Sequence, residues 1–168
     1  MAAYYLGPML EVEAIMAILR STVARLEELT VDALPQELEP SGYGDDWSIA
    51  AVLAHLRACN DVLGGPMLRI LSEDHPSWVA RSPRGWQAKS GYHDLAFGAN
   101  VEAFTKGRAE LLAIVEPLAA VAWDRTATVT VPPNKHYERS VQYYGAWLAQ
   151  HEGTHLKDLA RRQEARRA

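Results

Sequence analysis

Apolar residues recur at spacings of three and four in separate stretches of this chain, and that periodicity narrows its fold more than any other feature. Val12, Ile15, Met16, Leu19, Val23 and Leu26 mark one stripe, within residues 9–29. Ile49, Val52, Leu53, Leu56, Leu63, Met67 and Ile70 mark a second, within 47–71. Phe97, Val101, Phe104, Leu111, Val115 and Leu118 mark a third, within 92–120, and the same pattern returns over 140–164. At 100° per residue each set falls on one face of an α-helix, which must bury that face against its neighbours. The expected fold is therefore all-α, a four-helix bundle, with residues 1–168 as a single domain.

Turn residues separate the stripes. Pro35, Pro40, Gly42 and Gly44 follow the first helix, and Asp46 or Ser48 can cap the second. Gly64, Gly65 and Pro66 interrupt the second stripe and predict a kink or an early stop. Residues 72–91, with Pro76, Trp78, Pro83, Gly85 and Trp86, read as a long loop between helices two and three, and loops of that length are often functional. The β-branched run 127–131, ended by Pro132 and Pro133, reads as a brief extended segment. A lone strand makes no sheet, so little or no sheet is expected.

Charge and composition exclude several classes. No apolar run approaches the roughly 20 residues that span a bilayer. The N-terminus lacks a basic leader and carries Glu11 and Glu13, so the expected address is the cytoplasm. A single cysteine, Cys59, excludes an internal disulfide and an all-cysteine zinc site. The formal net charge of −4 supplies no global field for nucleic acid. Arg161, Arg162, Arg166 and Arg167 read as cations complementing a helix C-terminus rather than as a nucleic-acid patch. Glu164 interrupts them and no aromatic residue is interleaved.

The fourth helix contains His-Glu-Gly-Thr-His-Leu-Lys-Asp-Leu. His151 and His155 lie one turn apart on a face shared with Val141, Tyr144, Leu148 and Leu159. Buried imidazoles need partners, and one metal ion satisfies two at once. By itself the pair is equally compatible with hydrogen-bonded or surface histidines. Glu152 after His151 resembles the zinc-protease pattern. Only thirteen residues follow His155, and they offer no His, no Cys and no Asp except Asp158, so Glu152 reads better as a supporting partner. His55, at the margin of the second stripe, is the third ligand candidate. Alone it reads as a core-edge histidine; beside the pair it completes a three-nitrogen set with an open position. His75 and His136 read as solvated, and His93 as a surface residue.

The segments Trp-Ser-Ile-Ala-Ala-Val-Leu-Ala-His-Leu and His-Glu-Gly-Thr-His-Leu-Lys-Asp-Leu resemble the two signature segments of the DinB/YfiT-like superfamily. The likeness spans nearly the whole chain, with an undistinctive middle third. It implies a four-helix bundle whose three histidines, here His55, His151 and His155, bind a divalent metal, with Trp47 and Ser48 matching the helix-opening pair. It also implies homodimers, and activities that include mycothiol- or bacillithiol-dependent S-transfer, thiol-dependent maleylpyruvate isomerisation and metal-dependent hydrolysis.

The expected function is thus a metal-dependent enzyme acting on a small molecule, a thiol-dependent S-transferase or a hydrolase. The ion would be zinc, nickel or iron, with a low-molecular-weight thiol as a second cofactor in the transferase case. The alternative is a non-catalytic metal-binding bundle that holds a small ligand or a protein partner. Cys59, Tyr144, Trp78 and Trp86 are the candidate pocket residues, against a reading of each as packing or loop anchoring. Cys59 is an extra ligand, a reactive thiol or a small buried hydrophobe. Tyr4, Tyr5, Leu6 and Met9 ahead of the first stripe suggest an apolar face for a second copy, hence a homodimer. No membrane and no nucleic-acid partner are expected.

Overall fold

The structure, a computed structural model, describes residues 7–40 and 47–167. Helix α1 spans Val12–Thr30. Helix α2, Ile49–Cys59, passes through a π-helical turn, Asn60–Gly64, into α3, Gly65–Ser72. Strand β1 (Ser77–Val79) and helix α4 (Pro83–Ser90) follow, then α5 (Phe97–Val115), α6 (Ala120–Trp123), strands β2 (Thr126–Val131) and β3 (Lys135–Ser140), and α7 (Val141–Arg167). The four long helical units, α1, α2 with α3, α5 and α7, pack as the bundle.

Ser48 opens α2 by accepting a hydrogen bond from the Ala51 N–H at 3.1 Å. Asp46, the other cap candidate, lies outside the described residues, as do Gly42 and Gly44. The interruption at Gly64-Gly65-Pro66 neither stops nor breaks the helix. The Gly65 N–H bonds the Asn60 carbonyl, a wider i to i+5 turn, and Pro66 sits in the first turn of α3, where its missing N–H costs least. Helix α2 is buried on nearly all sides, because α4, α5 and α7 surround it. Gly145 lets α7 approach closely, since a Cβ there would stand 3.2 Å from both Ile15 and Trp123.

Two expectations are corrected here. Residues 72–91 are not a loop. Ser82 accepts from the Gly85 N–H and Pro83 pre-sets the first turn, so α4 forms. Gly91, at φ 70°, ends it and delays α5 to Phe97. A sheet exists as well. β2 pairs in parallel with β1 and antiparallel with β3. It is small and packs Ala127, Val129 and Val131 onto one part of the bundle core, leaving the four-helix architecture intact. His75 and His136 are exposed, and His136 Nδ1 stands 3.0 Å from Thr130 Oγ1. The C-terminal arginines fold back: Arg166 pairs with Glu37, Arg167 with Asp32, and Arg161 and Arg162 with Asp158. Among the described residues no helix is long and apolar enough to cross a membrane. Of the apolar N-terminal residues, Met9 is half exposed; Tyr4, Tyr5 and Leu6 lie outside the described residues.

The core falls into two apolar clusters. One gathers Ile15, Leu19, Leu63, Leu111 and Leu148; the other gathers Leu26, Leu53, Leu56, Phe104 and Leu156. Between them each of three helices contributes a buried polar residue: Thr22 from α1, Arg108 from α5 and Glu152 from α7. Glu152 accepts from Thr22 Oγ1 at 2.9 Å and from both terminal nitrogens of Arg108, which also donates to the Leu19 carbonyl at 3.2 Å. Removing one partner of such a pair leaves an uncompensated charge in the core. Glu152→Ala should therefore cost about 3–5 kcal/mol in urea unfolding, and Arg108→Met combined with Glu152→Leu should recover most of that loss.

Candidate metal centre

Three elements bring the site together. Helix α7 presents His151 and His155 one turn apart on the face that buries Val141, Tyr144, Leu148 and Leu159. Helix α2 presents His55, which is not at a margin: it is only 4% exposed. A wheel drawn on α2 alone leaves that flank open, and α4 covers it. The segment before α2 adds Trp47, whose ring stacks on His155 with centroids 5.9 Å apart and meets His55 edge-on at 4.9 Å.

The ring nitrogens converge. His55 Nε2 lies 2.8 Å from His151 Nε2, and His155 Nε2 lies 3.3 Å from the same atom. One donor atom from each of the three lies within 4.8 Å of the others. Two zinc–imidazole bonds at a tetrahedral angle would span about 3.3 Å, which the His151–His155 pair matches and the tighter His55–His151 pair approaches. Gln87 of α4 fixes the orientation of His55. Its amide N–H donates to the Ala51 carbonyl at 3.3 Å, which turns Oε1 toward His55 Nδ1 at 3.0 Å. Nδ1 must then be the donor, and the Nε2 lone pair faces the other two rings.

The electrostatics keep all three rings neutral. Burial, then the neighbouring His151 and His155, hold His55 down to about 3. Burial followed by His151 brings His155 to about 4. Burial lowers His151 as well, opposed by the Glu152 carboxylate. Neutral imidazole is the form that binds metal. Among the described residues no fourth His, Cys, Asp or Glu joins the set, and His151 and His155 are only partly buried. The donor set therefore fits a divalent ion with a position left open.

The other candidates separate. Cys59 Sγ stands 3.5 Å from His55 Nε2, and burial pushes its thiol pKa well up, followed by the Glu152 and Asp61 carboxylates. Tyr144 is buried beside Tyr143, Trp147 and Trp78, and burial raises its phenol to about 12. Trp78 and Trp86 line a cleft of about 440 Å³ with Asp61, Val62, Pro66 and Arg69, and none of the three histidines lines it. Glu152 is committed to Arg108 and Thr22. Gln87 escaped the sequence reading because it sits in a segment read as loop. The signal available was Ser82-Pro83, a helix cap followed by a first-turn proline.

Residues 14–159 match the sequence profile of the DinB superfamily. Among curated proteins nothing matches the chain. Among solved structures the chain is similar to YfiT from Bacillus subtilis, a probable metal-dependent hydrolase with an unusual four-helix bundle topology. The two share a TM-score of 0.70 at 15% identity, over 96% of this chain and 94% of that one.

The lowered histidine pKa values carry a stability consequence. In the unfolded chain these rings take up protons near 6.5; in the folded protein His55 and His155 wait until about 3 and 4. Between those values the unfolded state holds more protons, so their contribution is complete above pH 6.5 and is lost as pH falls toward 4. The urea midpoint of metal-free protein should drop across that window, and His55→Phe should flatten the drop.

Proposed function

The chain belongs to the DinB superfamily, and on that basis we propose that it is a metal-dependent enzyme hydrolysing a small molecule, with His55, His151 and His155 as ligands of one zinc, nickel or iron ion. The observation that carries the reading is the convergence of three neutral imidazole nitrogens without a fourth protein donor among the described residues. Three protein ligands with an open position characterise catalytic sites, whereas structural zinc sites are closed by four. The likeness to YfiT supports hydrolysis over other chemistries.

An ion held there supplies Lewis acidity and lowers the pKa of a water or thiol bound beside it. The chain's own residues do the positioning. Gln87 holds the proton of His55 on Nδ1. Trp47 braces His155 by stacking and, with α4, keeps bulk water from His55. Glu152 is bound by Arg108 and Thr22, so it is not free to move a proton and serves instead to fix the turn of α7 that carries His151. Cys59 stays protonated and is not a nucleophile in this reading. The thiol-dependent transferase and the non-catalytic clamp would use the same three nitrogens. The proposal includes a homodimer in the cytoplasm; sedimentation at micromolar concentration should show the dimer.

Elemental analysis of purified protein should find about one divalent ion per chain, and His55→Ala, His151→Ala or His155→Ala should each abolish its retention. Gln87→Leu should weaken the ion by about 10–100-fold in chelator competition while leaving the circular dichroism unchanged. Ester and amide substrates screened beside thiol–electrophile pairs separate hydrolase from transferase. Metal retention in all three histidine variants would refute the ligand assignment. Metal-loaded protein with no chelator-sensitive turnover in either screen would favour the clamp.

A further inference from the structure

Helix α4 is too short to hold its own place. Its eight residues make about two turns, and an isolated helix of that length is unstable in water. Its position therefore depends on what ties it to α2, and that position decides whether the Gln87 amide meets His55. Gln87 supplies one tie itself, to the Ala51 carbonyl at 3.3 Å, longer than usual for such a bond. A second tie comes from Asp61. Its Oδ2 accepts from Trp86 Nε1 at 2.8 Å and from the Tyr92 hydroxyl at 2.6 Å. Trp86 is the residue before Gln87, and Tyr92 follows Gly91, where α4 ends. One carboxylate oxygen thus fastens both the middle of α4 and the chain just past its end.

Asp61 stands on the same helical unit as His55. α2 continues without a break into the π-helical turn Asn60–Gly64, of which Asp61 is the second residue. Each residue of that wider turn advances less around the axis than in an α-turn, so the turn resets the direction in which residue 61 leaves the helix, and such turns are frequent at functional sites. His55 and the clamp are parts of one element, and α4 is held across both. Arg57, one turn before Asp61 on this unit, places its guanidinium 3.7 Å from the centroid of the Tyr92 ring and steadies the same partner. Neither donor needs a carboxylate merely to be satisfied, because both bonds lie at the surface, where water serves as well. Water could not hold Trp86 and Tyr92 to one point of α2.

We propose that Asp61 is a positioning residue for the three-histidine centre: by clamping α4 through Trp86 and Tyr92 it keeps the Gln87 amide on His55, and so keeps the His55 proton on Nδ1 and the Nε2 lone pair toward His151 and His155. The inference rests on the three-histidine reading and adds a residue that is not one of the converging donors. Its effect passes through α4.

The test combines zinc affinity of the full chain, by chelator competition, with the ring-nitrogen resonances of His55 in metal-free protein, which report the tautomer without any metal. Asp61→Ala should weaken zinc by about fivefold, less than Gln87→Leu does, because the amide itself remains. It should also turn His55 from the Nδ1–H form into a mixture of tautomers. In the Gln87→Leu background Asp61→Ala should cost nothing further, since the group it positions is gone. Asp61→Asn keeps an acceptor oxygen without the charge and should restore most of the affinity, which direct attraction between the carboxylate and the dication would not. Trp86→Phe combined with Tyr92→Phe removes the two donors, leaves Asp61 in place and should reproduce Asp61→Ala, so the test holds even if Asp61→Ala misfolds. A full additional loss in the Gln87→Leu background, a loss in Asp61→Asn equal to that in Asp61→Ala, or an unaltered tautomer in the variants would overturn the clamp while the metal centre stands. A wild-type protein that takes up no zinc would overturn the metal centre, and the tautomer measurement would then decide the clamp by itself.

Discussion

The buried pair of Arg108 and Glu152 is the constraint around which the rest of the bundle is arranged. A guanidinium and a carboxylate, both almost fully excluded from water, tolerate few alternative packings, because any slip of one helix leaves a charge without its partner. The pair ties α5 to α7, Thr22 adds α1, and the Arg108 bond to the Leu19 carbonyl reaches the α1 backbone. Leucine and valine faces alone can slide past one another at small cost. A charged layer between two apolar clusters fixes the height at which three helices meet. His151 is the residue before Glu152, so the same layer sets where the first histidine of α7 stands relative to His55. The three-histidine cluster inherits its register from an ion pair that takes no part in it.

Much of this was legible in the sequence. The stripes named the long helices because amphipathic periodicity is a local property, visible without knowing the neighbours. The His151–His155 spacing placed both rings on one core face for the same reason. What escaped depends on contacts distant in sequence. Arg108 falls on the stripe of α5, four residues after Phe104 and three before Leu111, where a charge reads as an anomaly until Glu152, 44 residues away, is known to meet it. β1 is three residues long, too short to show alternation, and β3 is mostly polar because its side chains face water. Only β2, with its inward Ala127, Val129 and Val131, carried a strand signature, and nothing local announced its two partners.

The position of His55 shows the limit most clearly. On α2 taken alone it sits at the margin of an apolar face, and a marginal histidine is ordinarily a half-solvated one. It is buried because α4 covers that flank, and α4 lies in a segment whose prolines, glycines and tryptophans read as loop. Burial then produces the chemistry: it strips the proton from the ring, and the amide of Gln87 selects which nitrogen is left bare. The sequence motif supplied the three imidazoles, but their protonation state and orientation come from a short helix that belongs to none of the apolar stripes.

That helix also divides the labour of the molecule. α4 lies outside the four-helix core and is fastened between β1, one strand of a small sheet, and the left-handed turn at Gly91. It contributes few residues to either apolar cluster, yet it carries the side chain that orients His55. Its buried Pro83 and Gln87 face α2 and cannot change without reaching His55, whereas its exposed positions can vary with little disturbance to the bundle. A short helix outside the bundle thus sets the protonation and orientation of a ring that the bundle holds, and redesigning the surroundings of His55 should begin between Ser82 and Gly91 rather than in the bundle.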